Sequence, residues 1–222
     1  MGDKVEVSFH LLDIVFKQKE NRPALYLYGK TPSGKKICIV EENFLPYFYA
    51  EPIEIEDKER LKKDLLALKV PFKEGDAVIH SVEEIEKKLL GSKKFLLQIF
   101  ALAPSYIPFL KRELDAHPKI KKCYEFDIPF VYRYLIDKNI LPLALLHAKG
   151  EWIPEKSKVP VLLAENITPT EETASDLQSM AFDIETYSKT KTFQPEKNPI
   201  LMIALYGKDF RKVLTWKKYS TQ

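Results

Sequence analysis

At 222 residues, with 45% hydrophobic and 30% charged side chains, the chain has room for one large domain or two small ones and is too apolar for wholesale disorder. Its 35 basic and 32 acidic residues leave a net charge of +3, which admits a nucleic-acid partner without requiring one. Cys38 and Cys123 have no C-x-x-C spacing, which argues against zinc or a disulfide framework and suits a reducing cytosol; no apolar run approaches the ~20 residues of a membrane span, and the N-terminus lacks a signal-peptide core.

Taken in order, residues 5–50 read as β structure. Val5–Phe16 is strand-like, Ala24–Tyr28 alternates apolar and aromatic residues, Thr31-Pro32-Ser33-Gly34 marks a turn, and Ile37–Val40 is a third strand. Phe44, Tyr47, Phe48 and Tyr49 then cluster around Pro46, either as a core corner or as a platform on which bases stack. Asp57–Lys69 reads as a helix with Asp57 as N-cap and Leu61, Leu65 and Leu68 on one face. Ser81–Leu90 reads as a second helix, with Ser81 and Glu84 as a capping box and Gly91 beyond its end. Lys94–Ala103 is an apolar strand, and Pro108–His117 is a third helix stopped by Pro118. A fourth helix begins after Asp127 and runs to about Lys138; its Tyr132, Arg133 and Tyr134 are candidates for a nucleic-acid-facing surface or for ordinary amphipathic packing. Residues 147–175 change character and read as a linker, with one short strand at Val159–Ala164.

Met180–Thr186 is a short apolar run carrying Asp183 and Glu185 two residues apart. On a strand both carboxylates project from one face, while Phe182 and Ile184 point to the other. Two neighbouring acids on a buried strand are costly unless a cation sits between them, and hard oxygen ligands suit Mg²⁺ or Mn²⁺. A bare Asp-x-Glu is also common at solvent-facing strand ends. Ile200–Tyr206 and Arg211–Trp216 follow as strands and predict an antiparallel meander with the acids on its first strand. His10, His80, His117 and His147 show no metal-ligand spacing.

Three blocks give the chain a resemblance to the N-terminal portion of archaeal family B DNA polymerases. They are Phe44–Ala50; Tyr124–Phe130 continuing through Tyr132–Lys138; and Ala181–Thr186, followed by Pro199–Ile203 and Lys212–Lys217. The resemblance implies an α+β N-terminal domain over residues 1–145 that contacts single-stranded template. It implies a linker and then the opening strands of an RNase H-like α/β exonuclease domain over residues 146–222. It further implies that Asp183 and Glu185 hold the Mg²⁺ or Mn²⁺ of a 3′→5′ proofreading site. It also implies a pocket that senses template uracil, formed by Phe16, Pro46, Tyr47, Leu96, Ile128, Pro129, Phe130 and Arg133. Leu96 stands where the resemblance places a valine, and Phe16 where tyrosine is frequent. The remaining exonuclease ligands and the polymerase palm are expected from the rest of a polymerase, in the same chain or a split subunit, with a sliding clamp reached through that part. The 222 residues alone are expected to be inactive, cytoplasmic and free of any membrane; a stand-alone single-stranded-DNA-binding module is the alternative.

Overall fold

Alternating apolar and polar residues make most of the chain strand, and two of the strand sets close around separate cores. The computed structural model describes residues 4–20, 22–53, 57–73, 75–89, 91–173, 179–190, 192 and 194–216. Leu90, Asp176 and Lys217, which the expectations above include, lie outside the described residues, as do residues 191 and 193. The chain divides into two units, Met1–Thr173 and Ala174–Gln222.

In the first unit, β1 (Val5–Gln18), β2 (Pro23–Lys30) and β3 (Lys36–Glu41) form an antiparallel meander. The chain then leaves for a second layer. This comprises β4 (Tyr47–Pro52), α1 (Lys58–Leu66), β5 (Lys69–Phe72), β6 (Gly75–Leu89), β7 (Ser92–Ala101), α2 (Ile107–Asp115) and β8 (Ile120–Tyr124). It returns through α3 (Phe130–Asp137) to β9 (Ala144–Ile153) and β10 (Val161–Thr173). The barrel closes in the order β1-β2-β3-β10-β9, with β3 and β10 parallel. This is the Greek-key closure of a small five-stranded barrel. The inserted layer is a sheet of order β5-β6-β7-β4-β8, and its β-α-β-β-β-α-β course is that of a β-α-β-β-α-β ferredoxin-like module with β5 added at the edge.

The barrel interior is filled by Phe9, Leu25, Leu27, Ile39, Leu146 and Leu162, and Phe130 and Tyr134 of α3 join that core. Phe48, Ala50, Leu97 and Ile99 on one face of the inserted sheet pack on Leu61 and Leu65 of α1 and Leu110 and Leu114 of α2. Asp57 caps α1 by accepting a hydrogen bond from the Arg60 amide at 3.4 Å. On the opposite face Tyr47, Tyr49 and Leu96 are buried.

Two expectations are corrected and one open alternative is decided. Residues 81–89 are not a helix: β6 pairs with β7 from Ser81↔Phe100 to Leu89↔Ser92. The apolar β7 is a central strand that needs an antiparallel neighbour on its β6 side, and that pairing overrides helix propensity. Glu84, expected in a capping box, instead faces α1 and pairs with Lys62 at 2.6 Å and Lys58 at 3.4 Å. Gly91 does take up left-handed backbone, at φ +83°, in the turn into β7. Residues 147–175 are not a linker through Thr173: β9 and β10 supply two of the five barrel strands, from Val161↔Ile153 onward. Their polar residues face outward from a barrel wall, a period-two pattern that short windows hide. The fourth helix does not offer Arg133 and Tyr134 to solvent, because both are buried and only Tyr132 of that trio is exposed.

In the second unit β11 (Met180–Thr186), β12 (Ile200–Gly207) and β13 (Phe210–Thr215) form the expected antiparallel meander, in the order β11-β12-β13.

Gly150 marks where barrel closure is tightest: an added Cβ would lie 1.9 Å from the Leu163 carbonyl oxygen. Backbone cannot rotate away as a side chain can. Gly150→Ala is therefore expected to cost about 1–3 kcal/mol of unfolding free energy in urea titration, the usual range for overpacking. Gly75→Ala, where a Cβ meets nothing within 4 Å, should change it by less than about 0.5 kcal/mol.

Candidate nucleic-acid interface and metal face

α3 places the key side chain of the first unit. Its Phe130 and Tyr134, four residues apart, enter the barrel core, while Arg133 turns to the inserted sheet. Arg133 is only 3% exposed, and its guanidinium lies 4.6 Å from the Tyr47 ring centroid. Its Nη1 donates to Glu125 Oε2 at 2.6 Å and its Nη2 to the Glu125 carbonyl at 3.0 Å. Nε has no acceptor among the described residues. Lys87 Nζ reaches both Glu125 oxygens, at 2.9 and 3.0 Å. Tyr47 in turn donates its hydroxyl to Asp137 Oδ2 at 2.6 Å. The result is an alternating series of charges, Lys87, Glu125, Arg133 and Asp137, threaded through Tyr47.

Burial opposes the ionisation of Glu125, but Lys87 and Arg133 outweigh it and hold its carboxyl below the ordinary range. Burial pushes the Tyr47 hydroxyl up, and its hydrogen bond to Asp137 adds to the effect, so it stays a neutral donor.

Beside this network is a cavity of about 280 Å³. Of the eight residues expected to form a pocket, Pro46, Tyr47, Ile128, Pro129, Phe130 and Arg133 line it together. Phe16 stands behind its wall, edge-on to Phe130 with ring centroids 5.5 Å apart. Leu96 does not line it: it is fully buried under Tyr47 and Tyr49 and supports the wall from below. The lining also includes Pro104, Ile107, Pro108, Phe126 and Asp127, which the sequence reading missed. Four prolines (Pro46, Pro104, Pro108 and Pro129) fix the local backbone on several sides. The signal for the α2 side was present in Pro104 and Pro108, but only the fold brings α2 to the cavity.

In the second unit the register Asp183↔Ala204↔Val213 and Glu185↔Met202↔Thr215 puts both carboxylates on one face of the meander. Ala181, Tyr206 and Arg211 share that face, with the Arg211 guanidinium 5.0 Å from the Tyr206 ring centroid. Phe182 and Ile184 lie on the other face as expected, but they are 64% and 42% exposed rather than buried against a layer. The two acids supply hard oxygen donors that fit Mg²⁺ or Mn²⁺. Among the described residues no group of three His, Cys, Asp or Glu side chains converges on such an ion.

Comparison with known proteins gives this geometry a context. Residues 121–222 match the model of the exonuclease domain of family B DNA polymerases. The chain is 31% identical over 216 residues to a DNA polymerase of Methanocaldococcus jannaschii, covering 95% of this chain and 11% of that protein. It is 27% identical over 213 residues to DNA polymerase 2 of Aeropyrum pernix, covering 92% of this chain and 26% of the relative. In fold it is similar to the family B DNA polymerase of Pyrobaculum calidifontis, with a TM-score of 0.72 over 95% of this chain and 27% of that one, at 24% identity. The chain thus spans between about a tenth and about a quarter of the length of these relatives.

Removal of the Glu125 charge leaves Arg133 buried and unneutralised. Glu125→Gln should cost about 2–3 kcal/mol of stability, below the 3–5 kcal/mol of a fully buried pair because the Glu125 side chain is 23% exposed. Because folding lowers this carboxyl's pKa, its contribution is complete above the ordinary value of 4.5 and is lost as pH falls below it. The unfolding midpoint of the wild type should fall more steeply than that of Glu125→Gln on acidification below that value. Parallel profiles would show that the pair contributes nothing. By sequence along nearly its whole length, and by fold, the chain is a relative of the N-terminal portion of archaeal family B DNA polymerases.

Proposed function

We propose that this chain forms the N-terminal part of a family B DNA polymerase, reads single-stranded template ahead of synthesis and captures uracil in the cavity beside Arg133. One observation carries the reading: six residues from two sequence blocks, Pro46-Tyr47 and Ile128–Arg133, converge on one cavity of about 280 Å³. That volume is near the lower end of the ~300–1,000 Å³ typical of ligand pockets, a size for one base rather than a larger ligand. Apolar walls offer a ring surface to a base turned out of a single strand. Thymine differs from uracil by one methyl group, and rigid proline-bearing walls are a means of excluding it. In this reading residues 1–145, together with β9 and β10, form the template-recognition domain.

The second unit is read as the opening strands of an RNase H-like 3′→5′ exonuclease domain, with Asp183 and Glu185 as its first metal-binding carboxylates. A bound divalent ion supplies activated water and stabilises the departing oxygen of a phosphodiester. Asp183 and Glu185 would hold it from the open face of β11, and the remaining ligands would come from outside the described residues. The partners are then template DNA, the remainder of the polymerase and, through that remainder, a sliding clamp, in the cytoplasm. Among the described residues no helix is long and apolar enough to cross a membrane. A second reading is a stand-alone single-stranded-DNA-binding module in which the acids are idle, since among the described residues no third ligand joins Asp183 and Glu185.

Fluorescence anisotropy at fixed salt, with single strands carrying one uracil or one thymine, tests the cavity. The uracil strand should bind about tenfold more tightly, the low end of what one methyl group is worth, and Tyr47→Ala should erase the difference. Equal wild-type affinities would contradict uracil capture. In Mg²⁺ the pure chain should leave a 5′-labelled single strand intact. Trimming that disappears in Asp183→Ala would show instead that two carboxylates suffice.

A further inference from the structure

Lys87 lies outside the cavity lining, outside the sequence blocks and on a strand of its own, β6. Its placement nevertheless ties it to the cavity wall. Nζ sits 4.4 Å from the Tyr49 ring centroid while it bonds both oxygens of Glu125 at 2.9 and 3.0 Å. The ammonium is thus held by the Tyr49 ring and by Glu125 together. Glu125, at the start of the loop that carries Ile128 and Pro129, has left-handed backbone with φ +54°. A non-glycine residue keeps such a conformation only where its surroundings impose it. The same carboxylate receives Arg133 Nη1 at 2.6 Å, and its own backbone carbonyl receives Nη2 at 3.0 Å. Glu125 is therefore fixed from both sides, by a cation on the sheet and by the cation that covers Tyr47.

We propose that Lys87 is a positioning residue for the cavity: it locks the Glu125 carboxylate, and through it the Arg133 guanidinium, in the one arrangement that sets the position of the Tyr47 wall. This rests on the reading of the cavity as a base-binding site. A carboxylate bonded to one cation alone can swing about its own side-chain torsions and carry that cation with it. Bonded to two cations anchored on different elements, it cannot. Discrimination by a single methyl group requires walls that do not yield, so a residue that stiffens the wall governs selectivity more than affinity. Lys87 acts at a distance from the base and contributes no contact to it.

Lys87→Met tests this, because it keeps an unbranched side chain of similar length and removes the charge that Tyr49 and Glu125 hold. Lys93→Met is the control: Lys93 is 75% exposed, pairs with Glu86 beyond the turn and reports what loss of one positive charge does to DNA binding in general. The uracil-to-thymine affinity ratio should fall roughly fivefold in Lys87→Met, a large part of a methyl-sized discrimination. Affinity for the thymine strand should match that of Lys93→Met, and Lys87→Arg should restore the ratio. Equal weakening for both strands, or an unchanged ratio, would overturn the proposal.

A second readout does not depend on DNA. The ¹H–¹⁵N signal of Arg133 Nε, assigned by its loss in Arg133→Lys, should shift or broaden in Lys87→Met and recover in Lys87→Arg. An unchanged signal overturns the positioning role even if the wild type prefers uracil. A shifted signal in a protein that binds uracil and thymine strands equally would leave the Lys87 linkage standing and remove only the base-binding reading.

Discussion

The first unit is organised by the need to neutralise a guanidinium inside protein. Arg133 is 3% exposed, and a charge so placed is costly unless it is paired and hydrogen-bonded. Glu125 meets that need by accepting two hydrogen bonds from the guanidinium, one at its carboxylate and one at its carbonyl. The consequences spread outward. Glu125 must sit with left-handed backbone to present both oxygens, so the following loop leaves it in a set direction and brings Ile128 and Pro129 to the cavity. Tyr47 lies under the guanidinium with its hydroxyl on Asp137, one turn after Arg133 on α3.

α3 can present that charge because its other side is anchored. Phe130 and Tyr134 belong to the barrel core, so the helix is held against β1, β2 and β9 residues while Arg133 reaches the sheet. One short helix thereby serves two cores. The barrel and the inserted sheet are linked through α3, and the cavity lies where α2, β4 and the loop before α3 meet. Its shape is set by packing on both sides, without its lying deep inside either core.

Much of this was legible in the sequence, and the parts that were not have physical causes. The meander and the shared face of Asp183 and Glu185 followed from period-two spacing, a local property. The Asp57 cap and the burial of Leu61 and Leu65 followed from helical spacing, also local. β6 reads as a helix because Ser81, Glu84 and Gly91 match helix-end signals, and only its pairing with β7 decides against that. β9 and β10 were misread as a linker because one wall of a small barrel, polar outside, resembles loop sequence until its partners are known. Six of the eight residues that the resemblance implies for the pocket fall in two blocks of sequence and line the cavity, whereas Pro104 and Pro108 come from other elements and no local pattern joins them to it. Leu96 is expected in the wall from the resemblance alone, which gives a position along the chain and not a side-chain direction; it packs instead with Tyr47 and Tyr49.

The most direct test of the central claim is a crystal structure of the chain with a short single strand bearing one deoxyuridine. The uracil ring is expected inside the cavity between Tyr47, Pro129 and Phe130, with the Arg133–Glu125 pair unchanged and with clearly lower occupancy when thymidine replaces the deoxyuridine. Uracil bound elsewhere, or thymine seated equally well in the same cavity, would contradict it.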